Sequence, residues 1–249
     1  MSGKVYFVSG IDTDAGKSYV TGYLAREWTA AGIRTITQKL VQTGNVGMSE
    51  DILLHRKIMG IALLPEDISQ LTMPEIYPFP ASPHLAARLE CRPVDFQKLS
   101  NATATLASRY EAVLLEGAGG LMVPLSDTLL TIDYVKSCGY PVILATSGRL
   151  GSINHTLLSL EALKTRGMKL HSLVYNLFPE GEALIQKDSE AFFRAMIAHD
   201  WPDAEFLTVP ILECGDNQAA APLFVGEIQS GVVRNTACRR TPIARIRYS

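Results

Sequence analysis

No run of apolar residues in the 249-residue chain approaches the ~18 that a membrane helix needs. The amino terminus also lacks the long apolar core and small-residue cleavage site of a signal peptide, because Val5–Val8 leads straight into a glycine loop. Cysteine is scarce. Cys91, Cys138, Cys214 and Cys238 sit far apart without a CxxC pair, which argues against a zinc site or a disulfide framework. Neither sign of charge dominates: 23 Lys and Arg against 25 Asp and Glu leave a net charge of −2. Such a balance provides no overall basic field for nucleic acid. These absences together predict a cytoplasmic protein with reduced thiols and neither a membrane nor a nucleic-acid partner.

What is present is ample apolar material. At 47% apolar and 19% charged residues, the chain is too hydrophobic for disorder and long enough to bury a core without staples. Short runs rich in Val, Ile and Leu recur at Val5–Val8, Thr35–Val41, Ala112–Leu115, Val142–Ala145, Leu170–Tyr175 and Phe206–Val209. Nearly continuous apolar character marks strands covered on both faces. Helical stripes lie between them: Val20, Leu24, Trp28 and Ala31, stopped by Gly32, and Ile153, Leu157, Leu160 and Leu163, stopped by Gly167. This alternation predicts an α/β fold, a single doubly wound, mostly parallel sheet flanked by helices. Met73–Pro83, with four prolines, reads as an ordered loop leading into a helix from His84. The main domain is expected over residues 1–215. Residues 216–249, which from Asn217 onward carry five arginines, no lysine and one acid, read as a basic tail.

The chemistry begins at Gly10-Ile-Asp-Thr-Asp-Ala-Gly16-Lys17-Ser18, between an expected strand and an expected helix. Backbone N–H groups at a helix start, together with the helix dipole, make an anion site. Lys17 would reach the terminal phosphates of a nucleotide and the Ser18 hydroxyl would ligate Mg²⁺. The usual pattern asks for glycine at position 11, where this chain has Ile11 with Gly10 before it. Glu116, read as closing its strand before Gly117-Ala-Gly-Gly120, and Asp51, at the start of a helix, are acids placed to join such a site. Lys39, near the end of the second strand, offers a second cation for charge developing during phosphoryl transfer.

At these residues the chain resembles the dethiobiotin synthetase family. The matches are the glycine loop, Lys39-Leu-Val-Gln-Thr-Gly44, Ser82-Pro-His84, Val113-Leu-Leu-Glu-Gly-Ala-Gly-Gly120, Val123-Pro-Leu-Ser-Asp127, Pro141-Val-Ile-Leu144, Leu150-Gly-Ser-Ile-Asn-His155 and Val174-Tyr-Asn176. They run in family order, and the family's loop also sets its first glycine where Gly10 stands. The resemblance implies a P-loop NTPase-like fold and an ATP-dependent cyclo-ligase that joins CO₂ to 7,8-diaminononanoate. The steps it implies are a carbamate, then a carbamic–phosphoric anhydride, then ring closure, with Mg²⁺ as cofactor and ATP as co-substrate. Catalytic roles fall on Lys17 and Lys39. ATP contacts fall on Asp14, Ala15, Gly16, Lys17, Ser18, Tyr19, Asp51, Glu116, Gly117, Ala118, Gly119, Asn176, Leu177, Pro210, Ile211 and Leu212. Substrate contacts fall on Thr13, Lys39, Thr43 and Gly151-Ser152-Ile153-Asn154, the last group acting across a homodimer interface, and metal contacts on Ser18, Asp51 and Glu116.

Three departures stand out: Leu40 replaces the family's usual proline, Thr43 a serine and Arg149 a lysine. Losing the proline predicts a less stiff backbone at Lys39. The rival reading is a nucleotide switch of the partition or division-site type acting on a macromolecular partner. That class carries a signature lysine early in the loop, and residues 11–15 contain none.

Overall fold

The structure is a computed structural model and describes residues 2–178 and 181–211; Leu212 and the basic tail lie outside the described residues. In chain order the elements are β1 (Lys4–Gly10), α1 (Lys17–Ala30), β2 (Thr35–Lys39), β3 (Gln42–Thr43), α2 (Glu50–Met59), α3 (Pro65–Ile68), β4 (Ile76–Tyr77) and α4 (Pro83–Leu89). There follow α5 (Phe96–Arg109), β5 (Ala112–Gly120), α6 (Thr131–Cys138), β6 (Val142–Ser147), α7 (Ser152–Thr165), β7 (Leu170–Asn176), α8 (Ala183–Asp200) and β8 (Glu205–Val209). Six strands form one sheet in the order β2-β5-β1-β6-β7-β8, and every neighbouring pair is parallel. Among the described residues no helix is long and apolar enough to cross a membrane.

The apolar runs are explained by alternation between two buried faces. Val8, Leu114, Ile143 and Val174 pack in one cluster with Val20 and Leu24 of α1. Their neighbours Phe7, Leu115, Leu144 and Leu173 pack in another on the opposite face. Side chains alternate along a strand, so a strand covered on both faces must be apolar at every position. The central strand β1 sits between β5 and β6, where successive connections leave in opposite directions. The carboxyl ends of strands at such a point form the crevice in which ligands bind.

The structure corrects the sequence expectations in four places. β2 stops at Lys39, and Gln42–Thr43 instead pairs with Ile76–Tyr77 in a separate two-stranded sheet. The proline-rich segment therefore holds a short strand, β4, between Pro74 and Pro78. Its helix begins at Pro83, one residue before His84, because proline tolerates the first helical position, where its missing N–H is not needed. β5 does not close at Leu115 but continues through Glu116 to Gly120. Finally, Leu157 of the α7 stripe stays exposed.

Helix α2 carries Asp51 and is tied down by a buried ion pair. Arg56 grips Asp67 through Nε and Nη2, each at 2.8 Å, and donates from Nη1 to Thr37 Oγ1 of β2 at 2.8 Å. Asp67 also accepts from the Leu64 amide and the Thr72 hydroxyl. Burial would raise this carboxyl, but the Arg56 guanidinium and these donors hold it below its ordinary value. Removing one partner of such a pair strands the other's charge. Arg56→Met is therefore expected to cost about 3–5 kcal/mol in urea denaturation, with part recovered by adding Asp67→Asn. A loss no larger than a surface substitution in the single variant would show that the pair does not anchor α2.

Candidate active site

The loop between β1 and α1 gets its shape from two residues with positive φ, Asp14 at 59° and Gly16 at 79°. Gly16 caps α1 without a side-chain partner, so the first amides of the helix remain available to an anion. Lys17 curls back under the loop and donates from Nζ to the Asp12 carbonyl at 3.0 Å. A Cβ on Gly10 would lie 2.8 Å from Lys17 Cγ. The glycine at position 10 thus makes room for the lysine stem. Burial pushes the Lys17 ammonium below its ordinary value, while Glu116 and Asp51 pull it back upward.

Lys39 and Glu116 end up side by side because β2 and β5 pair in register at these two residues. Lys39 Nζ lies 2.7 Å from Glu116 Oε1 and 3.1 Å from the Gly117 carbonyl, and it also pairs with Asp51. Burial alone would lower this ammonium, but Glu116 and Asp51 hold it above its ordinary value. Burial would likewise raise Glu116, yet Lys39 and His55 keep its carboxyl well below the usual range. Ser18 Oγ lies 2.8 Å from Asp51 Oδ1 and 2.9 Å from Glu116 Oε1. Its single proton serves one of them at a time. Leu40 reverses the expected loss of stiffness: its N–H, which a proline would lack, donates to the Glu116 carbonyl at 2.8 Å, locking the end of β2 to β5.

These groups open into a cavity of about 810 Å³, lined by Thr13, Asp14, Gly16, Lys17, Ser18, Tyr19, Lys39, Thr43, Asp51, Glu116, Ala118 and Gly119. Phe178 lines it too, so the fold gathers residues up to 165 positions apart in sequence, Thr13 to Phe178. Ser18, Asp51 and Glu116 converge as an all-oxygen donor set, which suits a hard divalent cation. No group of three or more His, Cys, Asp or Glu capable of holding a metal occurs among the described residues. Two carboxylates and a hydroxyl leave the remaining positions to water and phosphate, as Mg²⁺ prefers.

Other expected residues sit away from the cavity wall. Ala15 is buried behind the loop. Gly117 is where a Cβ would meet Phe7 Cζ at 2.6 Å. Asn176 is buried and turned toward Phe178, donating from Nδ2 to its carbonyl at 2.6 Å and accepting from its amide at 3.1 Å. Its amide lies directly behind Gly16. Leu177 donates to the Val209 carbonyl at 3.0 Å, setting the β7 and β8 ends beside the loop. Tyr19 stacks on Phe178 at 5.0 Å and 16° and donates to the Pro210 carbonyl at 3.0 Å; Ile211 follows, partly exposed. Gly151–Asn154 lies at the start of α7, outside this cavity. Ser152 is buried against Ser147 at 3.1 Å, and Asn154 faces a separate cleft with Leu157 and Trp201. Nearby Arg149 reaches Asp12 of the loop at 3.2 Å.

Sequence reasoning missed Phe178 and His55. Phe178 carries no motif. His55 Nε2 lies 2.8 Å from Glu116 Oε2, both side chains fully buried. A signal existed: His55 follows Asp51 by one helical turn, the spacing that places two side chains on one face.

A family model described as an AAA domain matches residues 4–201. The chain is 46% identical over 209 residues to an ATP-dependent dethiobiotin synthetase of Pasteurella multocida, covering 84% of this chain and 98% of that one. It is 51% identical over 189 residues to one of Haemophilus influenzae, covering 76% and 99%, and 50% identical over 197 residues to one of Chlorobaculum tepidum, covering 79% and 82%. A structure described as a plasmid partition protein of Borrelia burgdorferi bound to AMPPNP superposes with a TM-score of 0.52 at 11% identity, covering 89% of this chain and 92% of that one. That likeness shows the fold alone.

Proposed function

Since the chain belongs to the dethiobiotin synthetase family and is an ATP-dependent ligase that forms dethiobiotin, we propose that it does so by phosphorylating a carbamate made from CO₂ and 7,8-diaminononanoate. The observation that carries this reading is the pair of lysines, Lys17 and Lys39, opening into one cavity beside two carboxylates. Phosphoryl transfer asks of a protein mainly alignment and charge stabilisation, and the site supplies both without a protein nucleophile.

In this reading the loop amides and Lys17 hold the β- and γ-phosphates, with Asp14, Ala15 and Gly16 forming the loop around them and Tyr19 following in the first turn of α1. Ser18, Asp51 and Glu116 would hold Mg²⁺, directly or through water, and the ion when bound would supply positive charge to the phosphates. Lys39 faces the carbamate oxygen that attacks the γ-phosphorus. Thr13 and Thr43 offer hydroxyls to the diamine or carbamate. The second amine then attacks the anhydride carbon and expels phosphate, closing the cyclic urea. Asn176, Leu177, Pro210 and Ile211, with the exposed ring of Phe178, border the adenine.

Gly151–Asn154 binds the substrate carboxylate across a homodimer interface in the same reading. The Ser152 amide is taken by the Arg149 carbonyl at 2.9 Å, which leaves those of Ile153 and Asn154, at the helix start, to suit an anion. Supporting a second copy on this side, Leu150, Leu157, Leu158 and Met122 are exposed there.

A mass-resolved assay with diaminononanoate, labelled bicarbonate and MgATP tests the whole reading. Labelled cyclic urea should appear in step with ADP. ADP release indifferent to the diamine would refute it and favour a nucleotide switch.

A further inference from the structure

Glu116 uses its two oxygens differently. Oε1 is turned toward the cavity, 2.7 Å from Lys39 Nζ and 2.9 Å from Ser18 Oγ. Oε2 points away from it, to His55 Nε2 at 2.8 Å. His55 does not line the cavity and its side chain is fully buried, so it cannot touch nucleotide or diamine. Its second ring nitrogen, Nδ1, has no hydrogen-bond partner. A ring held only for packing or solubility would not be buried with one nitrogen bare and the other aimed at a carboxylate, since an unmatched buried polar atom is costly. The carboxylate only accepts, so the ring presents Nε2–H to it.

The placement of this ring depends on a close helix crossing. A Cβ on Gly22 of α1 would come within 3.2 Å of His55 Cα and 3.0 Å of Ile58 Cδ1. Gly22 lies one turn beyond Ser18, as His55 lies one turn beyond Asp51. The same two helices therefore present Ser18 and Asp51 at the cavity and, a turn deeper, close over the imidazole.

We propose that His55 is a positioning residue for the metal–nucleotide site: by donating Nε2–H to Glu116 Oε2, it holds the carboxylate so that Oε1 stays turned toward Ser18 and the cavity. This rests on the reading of Glu116 as a metal ligand. Groups that orient ligating carboxylates are worth about 10–100-fold in metal affinity or activity.

The test is a Mg²⁺ titration of fluorescent-nucleotide binding, alongside nucleotide binding in EDTA and thermal unfolding. His55→Leu is expected to raise the Mg²⁺ concentration at half-saturation about 10-fold or more, with binding in EDTA unchanged. His55→Gln, whose amide reaches the same carboxylate, should restore most of the affinity. His55→Asn, polar but one methylene shorter, should not, and this pair decides the matter if the leucine variant fails to fold. A lower unfolding temperature with the same Mg²⁺ half-saturation in all three would mean that His55 only packs. Glu116→Gln separates the two readings. If it leaves the Mg²⁺ requirement unchanged, the metal assignment falls and the His55 role with it. If it shifts the requirement and His55→Leu does not, only the His55 role is overturned.

Discussion

Lys39→Gln is expected to bind MgATP within roughly threefold of the parent while losing about 10²–10³ in kcat. The reason is geometric. Lys17, the loop amides and Ser18 remain to hold the phosphates, and Lys39 Nζ makes no contact with the loop itself; it is held by Glu116, Asp51 and the Gly117 carbonyl. A cation aimed at charge that develops only in transfer affects turnover and leaves ground-state binding nearly alone. The variant has a second signature. Without the ammonium, Glu116 and Asp51 lose the cation that they share, so stability in EDTA should fall by about 3 kcal/mol, as when one member of a buried pair is removed. Mg²⁺ should restore much of it, because a divalent ion satisfies the same carboxylates. Steady-state kinetics, calorimetric nucleotide binding and unfolding with and without Mg²⁺ check the three parts. Normal turnover would remove Lys39 from the mechanism. Lost nucleotide affinity with Mg²⁺ present would show that it builds the pocket instead.

Gly16→Ala should abolish tight nucleotide binding for a different reason. At φ 79° an alanine is strained by about 1–2 kcal/mol, and its Cβ would stand 2.0 Å from Asn176 Nδ2. Asn176 cannot swing aside cheaply, since both ends of its amide are bonded to the Phe178 backbone; losing those bonds adds about 1 kcal/mol. If this sum of about 2–3 kcal/mol falls on binding, affinity drops about 30- to 150-fold. Gly47→Ala is the control. Gly47 has φ 75° but nothing within 4 Å of a Cβ, so it carries the strain without the clash and should leave nucleotide affinity alone. Equal effects from the two variants would refute the clash with Asn176.

The residues proposed to bind phosphate were the most legible part of the site. Gly10, Gly16, Lys17 and Ser18 are close in sequence, and their chemistry is local: a strand, a tight turn and a helix start. Lys39 and Glu116 were legible as strand-end residues, but their ion pair was not. It depends on the parallel register that sets Thr35 opposite Ala112 and, four residues on, Lys39 opposite Glu116. The β5 extension was misjudged because Gly117–Gly120 look like turn residues. In the fold Phe7 stands where a Cβ on Gly117 would go, Val123 where one on Gly119 would, and the loop backbone beside Gly120, so the strand has room for glycine there. Leu40 was misjudged in the same way. Taken alone, its substitution for proline loosens the backbone, but beside β5 its N–H gains the Glu116 carbonyl.

By itself the sequence determined the parallel α/β class, the order of most strands and helices, the glycine loop and the family, because each rests on periodicity or on motifs of adjacent residues. The tertiary structure alone decided which oxygen of Glu116 faces the cavity, that Asn176 stands behind Gly16, and that His55 lies beneath the site. Each of these depends on the crossing of two helices or the register of two strands, where a shift of one residue turns a side chain to the opposite face.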